Sequence, residues 1–171
     1  MKKLPIENVK KIHPKDLLAL INKMKRNLKR HPIVIDMFKE YKIPIEELDL
    51  IPMKFGDLDV SARTDHGIIT FSFKLLCDGN FFKDYMYAVH EITHFLQQTT
   101  GDKPTQGAED GDYLENPYEQ EGFQRQIEYV DNMFGEHEAD NYVEHLLDHH
   151  KVNDSAEREE KKDTLMEKVD E

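Results

Sequence analysis

Residues 81–100 read FFKDYMYAVHEITHFLQQTT. Apolar side chains at Phe81, Tyr85, Ala88, Val89, Ile92 and Leu96 recur at the three- and four-residue spacing of a helix, with Phe82 and Phe95 beside them. Asp78 or Asn80 can cap the start, and Gly101 suits the position just past the end. The stretch therefore predicts one amphipathic helix whose apolar side belongs to a core. Inside it stands His90-Glu91-Ile92-Thr93-His94, an HExxH pattern.

Helix geometry gives this pattern a chemistry. Residues four apart lie one turn apart on the same face, with Cβ atoms about 5–6 Å from each other. Two imidazoles so placed can bind one Zn²⁺ at about 2.0–2.1 Å. Glu91 follows the first imidazole. Its carboxylate can reach a water held by the metal without being a ligand, which is the position of a general base. In a shuffled chain with nine His among 171 residues the pattern would arise about 0.05 times, so its neighbourhood has to carry the rest.

Upstream, Ile51 to Phe55, Leu58 to Arg63 and Gly67 to Leu76 read as strands, the last (GIITFSFKLL) rich in β-branched and aromatic residues. Asp65-His66-Gly67 supplies turn chemistry between the second and third, so a hairpin is expected there. These make a small, mostly antiparallel sheet of about three strands. Strand 67–76, read as a sheet edge, could pair with an extended peptide. Further upstream, Pro14 to Arg30 places Leu17, Leu18, Leu20, Ile21, Met24 and Leu28 at helical spacing, and a shorter helix follows from Ile33 to Tyr41.

Downstream comes a polar loop, 101–115, and then Asn116-Pro117-Tyr118-Glu119. Asn caps, Pro suits the first turn, and Glu119 sits where a capping box needs it, so a helix is predicted over 117–134. A last helix covers 136–150. A catalytic zinc needs three protein ligands and one open position, so a third ligand is required. Glu119 and Glu121 are two apart and point about 200° from each other on a helix, so only one can face a metal. Glu115 and Glu128 are further options.

Composition bounds the rest. The chain has 171 residues, 38% hydrophobic and 34% charged, with a formal net charge of −12. That is the size of one domain, and residues 1–150 are expected to form it: a basic helical part over 1–48, a sheet over 50–76 and helices over 80–100, 117–134 and 136–150. The charged tail 151–171 is expected to be a frayed helix or disordered. Residues 1–42 hold 12 Lys/Arg against 4 Asp/Glu, and the remainder 11 against 31. An acidic excess of this size disfavours a nucleic-acid partner. No apolar run reaches membrane-spanning length, and no apolar segment follows Lys2-Lys3, so neither a membrane span nor a secretory leader is expected. The single cysteine, Cys77, reads as a small buried side chain, and a cytoplasmic location is the simplest reading. His145, His149 and His150 form a second imidazole cluster at a helix end, where the dipole favours them.

HEITH followed by the helix NPYEQEGFQRQIEY resembles the gluzincin zinc metallopeptidases, most of all their minimal phage-type and uncharacterised bacterial or archaeal members. Glu121-Gly122-Phe123 is similar to the Glu-Gly-Phe setting of the ligand Glu in aminopeptidase-type gluzincins. The resemblance covers about residues 67–147. It implies an α+β minimal zincin in which a short sheet packs on the HExxH helix and a Glu-bearing helix. It also implies Zn²⁺ bound by His90, His94 and Glu121, with Glu91 as the base in peptide-bond hydrolysis. Such enzymes place a Tyr or His beyond the Glu helix to stabilise the oxyanion. Tyr129, Tyr142 and His145 are the residues available here, with Tyr142 and His145 preferred. The partner would be a peptide or protein substrate. The alternative is a zinc-binding protein of the same fold that binds a partner without cleaving it.

Overall fold

A computed structural model of the chain describes residues 3–100 and 114–169. The class is α+β, mainly helical with one small sheet. The chain divides into two compact units, Met1–Thr105 and Gln106–Glu171. The Gly101 helix stop and most of the 101–115 loop lie outside the described residues.

The first unit opens with three helices: α1 (Ile6–Val9), α2 (Pro14–Lys29) and α3 (Pro32–Glu40). Two of them start in the same way. His13 and His31 each precede a proline, and each imidazole Nδ1 accepts from the backbone N–H two residues on, at 3.1 and 3.2 Å. Proline fixes the first helical φ, and the ring nitrogen satisfies an amide that the helix leaves over. Helix α2 buries Ile21, Met24 and Leu28. Leu18, expected on that stripe, is 54% exposed because it falls a residue off the 17, 21, 24, 28 line.

The sheet has strands β1 (Met53–Gly56), β2 (Ala62–Asp65) and β3 (Ile68–Ser72) in the order β1-β3-β2. The expected hairpin forms. β2 and β3 pair antiparallel with Asp65 opposite Ile68, and His66 and Gly67 between them have φ of 51° and 76°. Positive φ at both central residues matches the right-handed twist of the strands. Two expectations are corrected. The sheet is mixed, because β1 lies on the far side of β3 and pairs with it in parallel, Met53 opposite Ile69. The third strand also ends at Ser72, whose hydroxyl accepts from the Lys74 N–H and turns the chain into a 3₁₀ helix over Phe73–Leu76. β3 is therefore the central strand, bonded on both sides, and is not the edge that an incoming peptide could extend.

A 3₁₀ turn at Phe81–Asp84 leads into α4 (Tyr85–Thr99). Phe81 and Tyr85 meet edge to face at 5.5 Å, and Phe81 packs in the same manner on Phe55 of β1 and Phe71 of β3 at 5.1 and 5.8 Å. Such ring pairs add about 0.5–1.5 kcal/mol each beyond their buried area. They fix the start of α4 against the sheet. Phe82, placed in the core by the sequence pattern, is 41% exposed. Cys77 is half-buried, its Sγ 3.9 Å from the Phe73 carbonyl.

The second unit holds α5 (Pro117–Phe134), α6 (Glu136–His149) and α7 (Ser155–Leu165). Asn116 Oδ1 accepts from the N–H groups of Tyr118 at 2.8 Å and Glu119 at 3.4 Å, the expected cap. Gly135, at φ 98° and ψ 164°, adopts a conformation open to glycine, and this lets α6 start one residue after α5 ends. Residues 155–165 are helical, and α7 buries Leu165. It is tied to α6 by Arg158 to Glu144 at 2.6 Å and to Asp148 at 2.9 Å, and by Lys162 to Asp140 at 2.5 Å. Among the described residues no helix is long and apolar enough to cross a membrane.

Candidate metal centre

Helix α4 buries polar side chains as well as apolar ones. His90, Glu91, Thr93 and Gln97 are all below a tenth exposed, and His94 is partly exposed. Burying such groups costs free energy unless each finds a partner, so the partners define the site.

The one-turn spacing of His90 and His94 brings their Nε2 atoms to 3.1 Å, with the rings at 74° and centroids 4.8 Å apart. Two ligands on a tetrahedral zinc at about 2.05 Å sit roughly 3.3 Å from each other. The pair thus already has the bite of a chelate. Gln97, one turn beyond His94, holds its Oε1 2.8 Å from His94 Nδ1. An amide oxygen only accepts, so the proton belongs on Nδ1 and Nε2 keeps its lone pair. Glu91 is bonded from the sheet. Thr64 Oγ1, on β2, lies 2.8 Å from Glu91 Oε1 and 3.1 Å from the Glu91 backbone carbonyl.

Among the described residues one group of three side chains could hold a metal ion: His90, His94 and Glu119, with ligand atoms all within 4.8 Å of one another. Glu119 is 2% exposed. A carboxylate buried that deeply needs a counter-charge or hydrogen bonds. The chemistry of the set, two imidazoles and one carboxylate, suits a borderline ion such as Zn²⁺.

Glu121, the third ligand implied by the family resemblance, is not in this group. The reason is rotational. Positions 119 and 121 diverge by about 200° on α5, and the helix turns Glu119 to the buried side while Glu121 is only part-buried. The start of α5 is capped by Asn116, whose Oδ1 accepts from the backbone N–H groups of Tyr118 and Glu119. The weaker options have cationic partners, Glu115 with Lys161 at 3.0 Å and Glu128 with Arg125 at 2.9 Å.

Tyr142 and His145, the oxyanion candidates, both stand on α6. The Tyr142 hydroxyl accepts from Gln126 Nε2 at 2.8 Å, two turns along α5 from Glu119, and His145 is exposed. Tyr129 is buried in the core. Of the second imidazole cluster, His150 matters most. Its ring packs on Phe123, one turn along α5 from Glu119, with centroids 6.5 Å apart. Burial first, then the neighbouring His149, hold its pKa below the ordinary imidazole value, against the opposing pull of Glu119. His149 and His150 line a cavity of about 310 Å³ with Lys151 and Lys161.

Sequence reasoning missed Thr64, Gln97 and the setting of His150. Gln97 was within reach, since it stands three residues after His94 on the same face. Nothing local marks Thr64, which meets Glu91 only through the fold. No protein-family model matches the chain, and no curated protein or solved structure is significantly similar to it.

Proposed function

We propose that this protein is a zinc-dependent metallopeptidase of gluzincin type, with His90, His94 and Glu119 as the metal ligands. The observation that carries the reading is the pair of imidazole Nε2 atoms 3.1 Å apart, grouped with a buried carboxylate, with a second carboxylate, Glu91, in the residue directly after the first imidazole. A structural zinc site closes its coordination with four protein ligands, whereas three leave a corner open for chemistry. Zinc held there would supply Lewis acidity toward a water and a substrate carbonyl.

The chain's own residues do the rest. Glu91 takes the proton from the water and later returns it to the leaving amine. Gln97 holds the His94 ring in the tautomer that binds metal. An extended peptide would pair with the outer edge of β2. That edge strand packs on α4 and carries the residue that touches Glu91.

The test is peptide hydrolysis by wild type and Glu91→Gln at equal zinc content. Wild type should cleave, lose activity to a chelator and recover with zinc. Glu91→Gln should keep about one equivalent of zinc and lose at least about 10²-fold in rate. Hydrolysis unchanged in Glu91→Gln removes the proposed base. Bound zinc with no turnover on a peptide library points to the non-catalytic alternative.

A further inference from the structure

Strand β2 has four residues, and among them Thr64 alone has its side chain buried. A buried hydroxyl must be bonded. Thr64 has two acceptors in reach, both on Glu91: the carboxylate oxygen at 2.8 Å and the backbone carbonyl at 3.1 Å. The contrast with Thr93 is instructive. Thr93 sits in α4 itself, and its hydroxyl bonds back to the Val89 carbonyl at 2.9 Å, within its own helix. Thr64 instead reaches from the sheet to the helix.

Three features make that reach rigid. Threonine is β-branched, so the strand restricts its χ1 and with it the direction of the hydroxyl. The strand's register is set by its pairing with β3, Thr64 opposite Ile69, and by the tight turn at His66-Gly67. Ser61, in the segment before β2, also acts on the Tyr87 hydroxyl of α4, one turn ahead of Glu91, favouring its ionised form. Tyr87 and Glu91 are four residues apart and so share a face of the helix.

We propose that Thr64 is a positioning residue for Glu91: β2, through the Thr64 hydroxyl, sets the direction of the carboxylate that receives the water's proton. The proposal rests on the metallopeptidase reading for its catalytic consequence. The contact itself does not depend on that reading. Thr64 binds neither substrate nor metal. It narrows the arc through which the Glu91 side chain can swing, leaving one carboxylate oxygen engaged and the other available for proton transfer. Geometry of this kind acts on the chemical step more than on substrate binding, because a displaced base misses the proton without weakening the peptide's hold.

The experiment compares Thr64→Val, which keeps the shape and removes the hydroxyl, with Thr64→Ser, which keeps the hydroxyl on a smaller side chain. Zinc-loaded full-length protein is used throughout. Thr64→Val should lower kcat about 10- to 100-fold with KM within about twofold and zinc stoichiometry unchanged. Thr64→Ser should restore most of the rate. Crystal structures of the two variants should show the Glu91 carboxylate turned away in Thr64→Val and in place in Thr64→Ser. A carboxylate that stays in place in Thr64→Val overturns the proposal, and so does a Thr64→Ser enzyme as slow as Thr64→Val. The structural arm decides the matter even if wild type cleaves no peptide, which is the outcome that would sink the metallopeptidase reading. Should Thr64→Val fail to fold, Thr64→Ser and Thr64→Ala carry the same two measurements.

Discussion

Helix α4 buries His90, Glu91, Thr93 and Gln97, whereas helix α7 keeps Glu157, Glu159, Glu160 and Asp163 exposed. Both are rich in polar groups. On α4 the buried side chains are met by neutral groups at fixed distances: Thr64 on Glu91, Gln97 on His94, Thr93 on its own helix. On α7 the bonds are ion pairs among partly exposed side chains, Arg158 and Lys162 sharing Glu144 at 2.6 and 3.2 Å. Water screens the second set and not the first, so similar side chains serve different ends. The buried set is specific and costly to disturb. The exposed set helps hold a helix in place and tolerates change.

The sharpest way to break this comparison is to remove the buried carboxylate of the candidate metal group. Glu119→Ala should weaken zinc binding by more than about 100-fold, since loss of a supporting contact outside the ligand shell already costs about 10- to 100-fold. Glu121→Ala, two positions along, should leave affinity within about threefold. Titration of the apo-protein with zinc against a competing chelator measures both. Equal losses in the two variants would put the third ligand back in question.

A smaller effect should appear at the start of α4. Asp84 is buried, and the loss of hydration pushes its carboxyl up to about 7, with Lys83 opposing and Asp78 assisting. The folded protein thus prefers Asp84 protonated, while the unfolded chain ionises it near 3.8. Stability from this group is present at acidic pH and is lost as pH rises from about 4 through about 7. Asp84→Asn should therefore stabilise the protein at pH 8, by on the order of 1–2 kcal/mol after allowing for solvent screening, and do nothing near pH 4. Denaturant melts at the two pH values check the sign.

The smallest effect belongs to α7. Arg158→Ala should lower Tm by no more than about 3 °C, and the difference should shrink in 1 M salt. A large, salt-independent loss would mean that α7 does not behave as an exposed ion-pair surface.

What was legible in the sequence was local. The HExxH helix, the Asn116-Pro117 start of α5 and the turn at Asp65-His66-Gly67 each depend on residues within a turn or two of one another; the last two stand where expected, while the α-helix bearing HExxH begins at Tyr85 after the Phe81–Asp84 3₁₀ turn, without a side-chain cap from Asn80. What escaped was set at long range. Ile51 to Phe55 reads as a strand, but nothing in those residues says which side of β3 it will take, so the parallel pairing was out of reach. Thr64 looks like any strand threonine until α4 is laid against β2. The choice between Glu119 and Glu121 turned on the rotation of α5 about its axis, which neither a capping pattern nor a Glu-Gly-Phe context reports.

Glu119 is the third residue of α5, directly after the Asn116 cap. The amides of that first turn point toward the chain's beginning and give it a partial positive charge. That partial charge attracts the Glu119 carboxylate. The candidate centre therefore inherits the integrity of a helix end: whatever frays the opening turn of α5 displaces Glu119 by way of Asn116, a side chain outside the group.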